Sequence, residues 1–371
     1  MKKILIATGI FPPDIGGPAT YSKLLLNKLP EHGFEVAVVN FGEVRSLPKV
    51  IRHTMYFFKL LSHARGCDII YAQDPVSVGL PAMLAAKLLG KKFYLKVVGD
   101  YAWEQGVQRA GVTDDLDTFS REYAKYPLFV RLLKRIEGHV ALSADKIITP
   151  SEYLKLIVSN WGILAEKITV IYNGFTAPVL AEDKEALRKK LGIEGYAILS
   201  VGRLVPWKGF EMLIESMPAL AQEIPSAHLF IIGSGPDDAM LKKKVADLRL
   251  DDRITFLGKL SQEKLFEYIK ASDVFALNTS YEGFSHQLLE VMTLGTPIIT
   301  TPAGGNVEVI KNHKSGILVP YNECASFEKA VLELHTDANL ADNLAAHAQE
   351  KVKEFSDERM LDITAGLLAH A

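Results

Sequence analysis

The chain has 371 residues, 48% of them hydrophobic, which is enough for two domains with ordinary cores and long for one. A formal net charge of −2 does not favour nucleic acid as a partner, and two distant cysteines, Cys67 and Cys324, make no disulfide framework, which suits a reducing compartment. No segment reaches the roughly 18 uninterrupted apolar residues of a spanning helix, so the expectation is a soluble, cytoplasmic protein that at most lies on the cytoplasmic face of a membrane.

The opening residues MKKILIATGIF begin like a signal peptide. The apolar run is short, has no small-residue cleavage pattern and leads straight into FPPDIGGPAT, so it reads as a first buried strand. From there, short apolar runs alternate with longer helix-like stretches, the pattern of a parallel sheet covered on both faces. Strands are expected at 3–8, 35–40, 69–72, 93–98, 146–149 and 169–172, and the first helix shows its spacing in Tyr21, Leu24, Leu25 and Leu29. Stretches 49–65 and 126–134 mix aromatic, leucine and basic residues, as in Tyr56-Phe57-Phe58-Lys59 and Leu128-Phe129-Val130-Arg131. Two readings stand there: helices lying on anionic lipid, or core-facing helices of an α/β domain.

Asn173-Gly174-Phe175, followed by Pro178, punctuates the chain where this series ends, because Asn-Gly and Pro resist continuing a strand or helix. The alternation then restarts, with strands expected at 197–201, 227–232, 254–257, 274–277, 297–300 and 316–319. Two similar α/β units follow, over 1–175 and 176–350, with a last helix within 351–371 packing back on the first unit. Lys and Arg minus Asp and Glu gives +6 for residues 1–175 and −8 for the remainder. The basic half suits an anionic acceptor or lipid; chance and attraction between the units account for it equally well. Doubly wound sheets bind ligands beyond the carboxyl ends of their strands, and two facing domains make one cleft, so functional residues belong in loops just after strands.

Three such loops carry chemistry. Gly16-Gly17-Pro18 joins the first strand to the first helix; adjacent glycines allow close backbone approach and a helix start favours phosphate. Gly202-Arg203-Leu204-Val205-Pro206-Trp207-Lys208-Gly209 follows the first strand of the second unit, and its two cations can converge on one pyrophosphate, Arg203 as a planar fork and Lys208 as a compact charge. Glu282-Gly283-Phe284-Ser285-His286-Gln287-Leu288-Leu289-Glu290 reads as a loop entering a helix, with the amides of Gly283, Phe284 and Ser285 turned to an anion and two carboxylates for the hydroxyls of an extended ligand. His286 is either a donor contact or a helix-start histidine bonded to backbone.

Gly202-Arg203 with Lys208, Glu282 and Glu290 with seven residues between, Gly295-Thr296-Pro297, and Gly304-Gly305 before Glu308 resemble the donor site of glycosyltransferase family 4. Gly16-Gly17, Pro150-Ser151 and Asn173-Gly174 extend the resemblance over nearly the whole chain. It implies a GT-B fold of two Rossmann-like domains facing across a cleft. It also implies a retaining, metal-independent hexosyltransferase with no cofactor, taking a UDP- or GDP-sugar and a hydroxyl acceptor. Arg203 and Lys208 would then neutralise the departing diphosphate, Glu290 would hold the ribose, and Glu282 with the amides of Gly283–Ser285 would contact the transferred sugar and phosphate. Gly16 and Gly17 would let the first domain close over the diphosphate. A GT-B epimerase or phosphorylase, or a binding subunit without turnover, are the alternatives.

Many relatives carry a histidine after the strand that here runs into Lys96-Val97-Val98-Gly99-Asp100-Tyr101. Asp100 is the nearest polar substitute, either orienting a hydroxyl or capping the next turn. Asp114-Asp115-Leu116-Asp117 resembles a metal-holding Asp-x-Asp, but it lies far from the strand ends and reads as a solvated or helix-start cluster, so no metal site is expected.

Overall fold

The structure, a computed structural model, describes every residue except Ile15, 177–179 and Ala371, and the side chains of all but Lys49 and Val50 among the rest. Pro178 therefore lies outside the described residues. The chain divides into two compact units, Met1–Asn173 with Asp357–Ala371, and Gly174–Ser356.

In the first unit the strands are β1 (Lys2–Thr8), β2 (Phe34–Asn40), β3 (Ile69–Ala72), β4 (Lys92–Lys96), β5 (Lys146–Thr149) and β6 (Ile168–Val170), in the order β2-β1-β3-β4-β5-β6. All neighbours are parallel, with Ile4 level with Val36 on one side and Ile69 on the other. The register explains the composition: a parallel strand is covered on both faces, so Ile4, Leu5, Ile6 and Ala7 are all buried and β1 reads as a continuous apolar run. The strand expected over 93–98 stops at Lys96 because the chain turns there toward the helix Tyr101–Arg109. Lys96 itself is fully buried, its Nζ 3.2 Å from the centre of the Tyr21 ring and donating to Asn173 Oδ1 at 2.8 Å.

The last helix, Asp357–Ala369, returns to this unit: Met360, Leu361, Ala365 and Leu368 join the cluster of Ile4, Ile6, Tyr21 and Leu25, and Lys2 Nζ donates to Ala369 O at 2.6 Å. The helix Lys49–Ala64 divides its side chains between both expected roles. Tyr56 and Leu60 are fully buried, while Ile51, Met55 and Phe58 stand outward at i, i+4 and i+7.

The second unit repeats the plan with β7 (Tyr196–Val201), β8 (Ala227–Ile232), β9 (Ile254–Gly258), β10 (Val274–Leu277), β11 (Ile298–Thr300) and β12 (Ile317–Leu318), ordered β12-β11-β10-β7-β8-β9 and parallel throughout. Its helices carry the stop and start signals seen in the sequence. Asp183 caps Lys184–Leu191 and Gly192 ends it in the left-handed region; Ser285 and Gly295 do the same for His286–Leu294. Two Rossmann-like parallel domains of this kind are the GT-B fold. Cys67 is buried, Cys324 is half-buried, and both are free thiols. Among the described residues no helix is long and apolar enough to cross a membrane.

Candidate active site

In the second sheet the strand order reverses between β7 and β10, and a doubly wound sheet opens its ligand crevice at such a point, where successive connections leave in opposite directions. The loops that flank this point are the two that carry the charged motifs.

The loop after β7 is shaped by backbone approaches that leave no room for a side chain. Gly202 N donates to Ile232 O at 2.9 Å, and a Cβ on Gly233 would lie 1.8 Å from Gly202 O. Pro206–Lys208 make a single tight turn closed by Gly209 at φ 52, in the left-handed region. Three bonds fasten that turn to the loop after β10: Asn278 Nδ2 donates to Gly209 O at 2.9 Å, Thr279 Oγ1 to Trp207 O at 3.1 Å, and Ser280 N to Trp207 O at 2.9 Å. The fastening brings Lys208 Nζ onto Glu282 Oε2, an ion pair whose side chains are 13% and 17% exposed. Arg203 stays exposed on the same loop.

The loop after β10 enters the helix His286–Leu294 through Ser285, whose Oγ accepts from Leu288 N at 3.3 Å. Gly305 N donates to Glu282 O at 2.9 Å, and a Cβ on Gly305 would sit 2.4 Å from Gly283 O. The Gly304-Gly305 pair is thus a backbone brace for the Glu282-Gly283 turn. Phe284 is buried with its ring 5.6 Å from that of Phe355, so its side chain serves packing and only its backbone is left for a ligand. Glu290 stands one turn into the helix, and helical side chains lean toward the N-terminus, which returns its carboxyl toward the Ser285 end. Desolvation pushes that carboxyl up to about 7. His286, the first helical residue, is half-buried.

The remaining sequence candidates belong to the first unit. Gly16 caps the helix Gly17–Lys28 at φ 151, a backbone that favours glycine, and its carbonyl accepts from Ala19 N at 3.0 Å and Thr20 N at 3.1 Å. Asp100, expected either to meet a hydroxyl or to cap the next turn, is a cap. It is fully buried, and its Oδ1 accepts from Trp103 N at 2.7 Å, while its Oδ2 has no hydrogen-bond partner. Glu137 packs beside it, accepting from Tyr101 N at 2.8 Å and Ala102 N at 3.2 Å. Burial pushes both carboxyls up, Glu137 well above its ordinary value with the neighbouring Asp100 charge adding to the shift.

The aspartates of 114–117 diverge onto separate partners. Asp114 pairs with Lys125 at 3.2 Å and Tyr126 Oη at 2.9 Å, Asp115 caps the helix Leu116–Arg121, and Asp117 accepts from Tyr153 Oη at 3.1 Å. Sequence reasoning missed Asn278, Thr279 and their neighbour Asn322, whose backbone N donates to Asn278 Oδ1 at 3.1 Å. Asn278 and Thr279 directly follow β10, so the strand-end rule applied to every strand would have found them.

The two loops thus pair Lys208 with Glu282 beside a helix start, with Arg203 on one loop and Glu290 one turn into the helix, an arrangement suited to a diphosphate flanked by hydroxylated groups. Residues 183–351 match the family described as glycosyl transferases group 1, and residues 15–177 match glycosyltransferase family 4. The chain is 31% identical over 369 residues to the GDP-mannose-dependent monoacylated alpha-(1-6)-phosphatidylinositol monomannoside mannosyltransferase of Corynebacterium glutamicum, covering 91% of this chain and 89% of that one. It is 30% identical over 376 residues to the N-acetyl-alpha-D-glucosaminyl L-malate synthase of Bacillus anthracis, covering 94% and 92%. Against several other curated relatives the match spans about half of their length, 46% for the mannosylfructose-phosphate synthase of Agrobacterium fabrum. Among solved structures, HepE of Anabaena in complex with UDP-glucose shares the fold over 100% of both chains, with TM-score 0.77 and 21% identity.

Proposed function

The chain belongs to the group 1 glycosyltransferases of family 4, and from that premise we propose that it moves a hexose-type sugar from a UDP- or GDP-sugar to a hydroxyl acceptor with retention of configuration and without a metal. The observation that carries the site assignment is the Lys208–Glu282 pair at the β7/β10 reversal, with Arg203 on one loop and the Ser285-capped helix on the other.

The main demand of the reaction is negative charge building on the leaving diphosphate while the sugar becomes oxocarbenium-like. Lys208 and Arg203 meet that charge. Glu290 accepts from the ribose hydroxyls, Glu282 and the Gly283–Ser285 backbone from and to the sugar and its phosphate, and Gly16 and Gly17 let the first domain approach the diphosphate. The bond from the anomeric carbon to the phosphate oxygen breaks as the bond to the acceptor oxygen forms on the same face, and the leaving phosphate oxygen takes the acceptor proton. No separate protein base is required, and Asp100 already spends its Oδ1 on the cap of the next helix.

Both nucleotides stay in play because one similar protein is GDP-mannose-dependent and a solved neighbour is in complex with UDP-glucose. The test is a thermal-shift and diphosphate-release panel of UDP-, GDP- and ADP-sugars, with and without chelator. One nucleotide class should stabilise the protein and release diphosphate slowly, unaffected by chelator, and the anomer formed should match the donor. Isomerised sugar nucleotide would mark an epimerase, dependence on inorganic phosphate a phosphorylase, and binding without turnover across acceptors a binding subunit.

A peripheral membrane contact has its own support. The helices Lys49–Ala64, Gly79–Leu89 and Leu128–Ser143 pack side by side in that order. They expose Phe58, Leu88 and Leu128 by 60%, 67% and 77%, and their one acidic residue, Glu137, is buried. Apolar side chains among cations, with no exposed carboxylate on these helices, suit an anionic lipid surface. Co-sedimentation with phosphatidylglycerol vesicles but not phosphatidylcholine vesicles, reduced in Phe58→Ser/Leu88→Ser, is the expected result; equal recovery with both lipids would refute it.

A further inference from the structure

The first sheet has its own reversal, between β1 and β3, and a pocket of about 370 Å³ lies over the carboxyl ends of the strands there. That size is ample for a small ligand or one end of a larger one. It is lined by Gly9, Pro18, Arg45, Arg52, Gln73 and Asp74, among others.

The polar groups of this pocket are short of partners. Gln73 is 3% exposed, and its Nε2, beside the Tyr71 hydroxyl, has no partner of full hydrogen-bond geometry; Arg52 Nε is buried and also has none. Arg52 has no ion pair among the described residues, and its guanidinium is positioned by the Phe41 ring, 5.8 Å from the ring centre. Arg45 donates to Gly9 O at 2.9 Å and lies 3.7 Å from Asp14 Oδ2, an exposed and therefore weak pair. Asp74 lines the same pocket with its Oδ1 already engaged, accepting from the Val76, Ser77 and Val78 amides at 2.9, 2.6 and 3.3 Å; burial pushes its carboxyl above the ordinary value, and the two arginines outnumber it. Buried donors are normally satisfied, so two orphaned donors, one of them on an arginine without an ion pair, suit a ligand that accepts hydrogen bonds and carries negative charge.

We propose that this pocket receives an anionic group, a carboxylate or phosphate, carried by the acceptor substrate, with Arg52 and Arg45 as its cations and Gln73 as a neutral donor. The word acceptor rests on the glycosyl-transfer reading; the anion site does not. An anion held over β1 and β3 leaves a neighbouring hydroxyl of the same molecule as the nucleophile. Specificity follows from the orphans: a neutral alcohol leaves Arg52 and Gln73 unpaired, and a site built to bond a polar group rejects an analogue that lacks it.

The test uses three probes on the full chain without donor: glycerol, glycerate and glycerol 3-phosphate, titrated by protein-observed NMR. The two anions should bind at least about tenfold more tightly than glycerol, and the tighter of them identifies carboxylate or phosphate as the natural group. Arg52→Gln and Arg45→Gln should each remove most of that preference; Arg45 is exposed, so its variant tests the site even if Arg52→Gln folds poorly. Equal binding of the three probes, or a preference that survives both substitutions, overturns the proposal. So does loss of the nucleoside diphosphate thermal shift in either variant, which would make the pocket part of the donor site. Anion preference in a protein that binds no nucleotide would uphold the pocket and sink only the transfer reading.

Discussion

The two strand-order reversals sit at equivalent places in the two sheets and are finished in opposite ways. At β7/β10 the central charges already have partners in each other: Lys208 rests on Glu282, and Asn278, Thr279 and Ser280 fasten one loop to the other. At β1/β3 Arg52 Nε and Gln73 Nε2 have none. The second crevice is organised before any ligand arrives, as electrostatic stabilisation of a leaving group requires, whereas the first is completed by what it binds. A shared topology therefore fixes where ligands go, and the local hydrogen bonding decides what each crevice does.

Breaking the fastened crevice should have the largest effect. Lys208→Ala removes the diphosphate cation and leaves Glu282 half-buried without its partner; kcat/KM for the donor should fall about 100-fold or more, while the folded state loses only about 1–3 kcal/mol. Steady-state kinetics beside urea unfolding separates the two, and near-normal turnover would contradict the assignment. Gly305→Ala tests the brace, because its Cβ would sit 2.4 Å from Gly283 O; a loss of roughly 2 kcal/mol in Tm-derived stability with weakened nucleotide binding is expected.

Glu290 sharpens the comparison through pH. Its folded pKa is raised, so its favourable contribution is complete below the unfolded value near ~4.3 and is lost as pH rises through about 7. Glu290→Gln should flatten that slope, worth at most about 4 kcal/mol, and should weaken nucleotide binding. An unchanged slope would show that the desolvation does not act. The smallest effect belongs to the Asp100–Glu137 pair, whose raised carboxyls have the same sign: stability falls as pH climbs above the ordinary carboxylate range. Glu137→Gln keeps an oxygen for the Tyr101 and Ala102 amides, so it should lose less stability than the wild type as pH climbs above the ordinary carboxylate range.

The strands were legible because parallel strands buried on both faces read as bare apolar runs, and all twelve lie where those runs are. Their ends were less so: β4 gives way two residues early because Asp100 is committed to capping the next helix. In the site, Lys208, Glu282 and Glu290 could be read from residue type and spacing, since charge on a glycine-bounded strand-end loop has few other uses. Asn278, Thr279, Arg52 and Gln73 could not, because an amide or hydroxyl announces nothing until its partner across the sheet is known. The role of Asp100 depended likewise on burial.

The most direct test of the fastened crevice compares a nucleoside diphosphate with its nucleoside by calorimetry, on the wild type and on Lys208→Ala. The account predicts that the wild type prefers the diphosphate by at least about tenfold and that the variant loses this preference while still binding the nucleoside. A preference that survives undiminished in Lys208→Ala would contradict it.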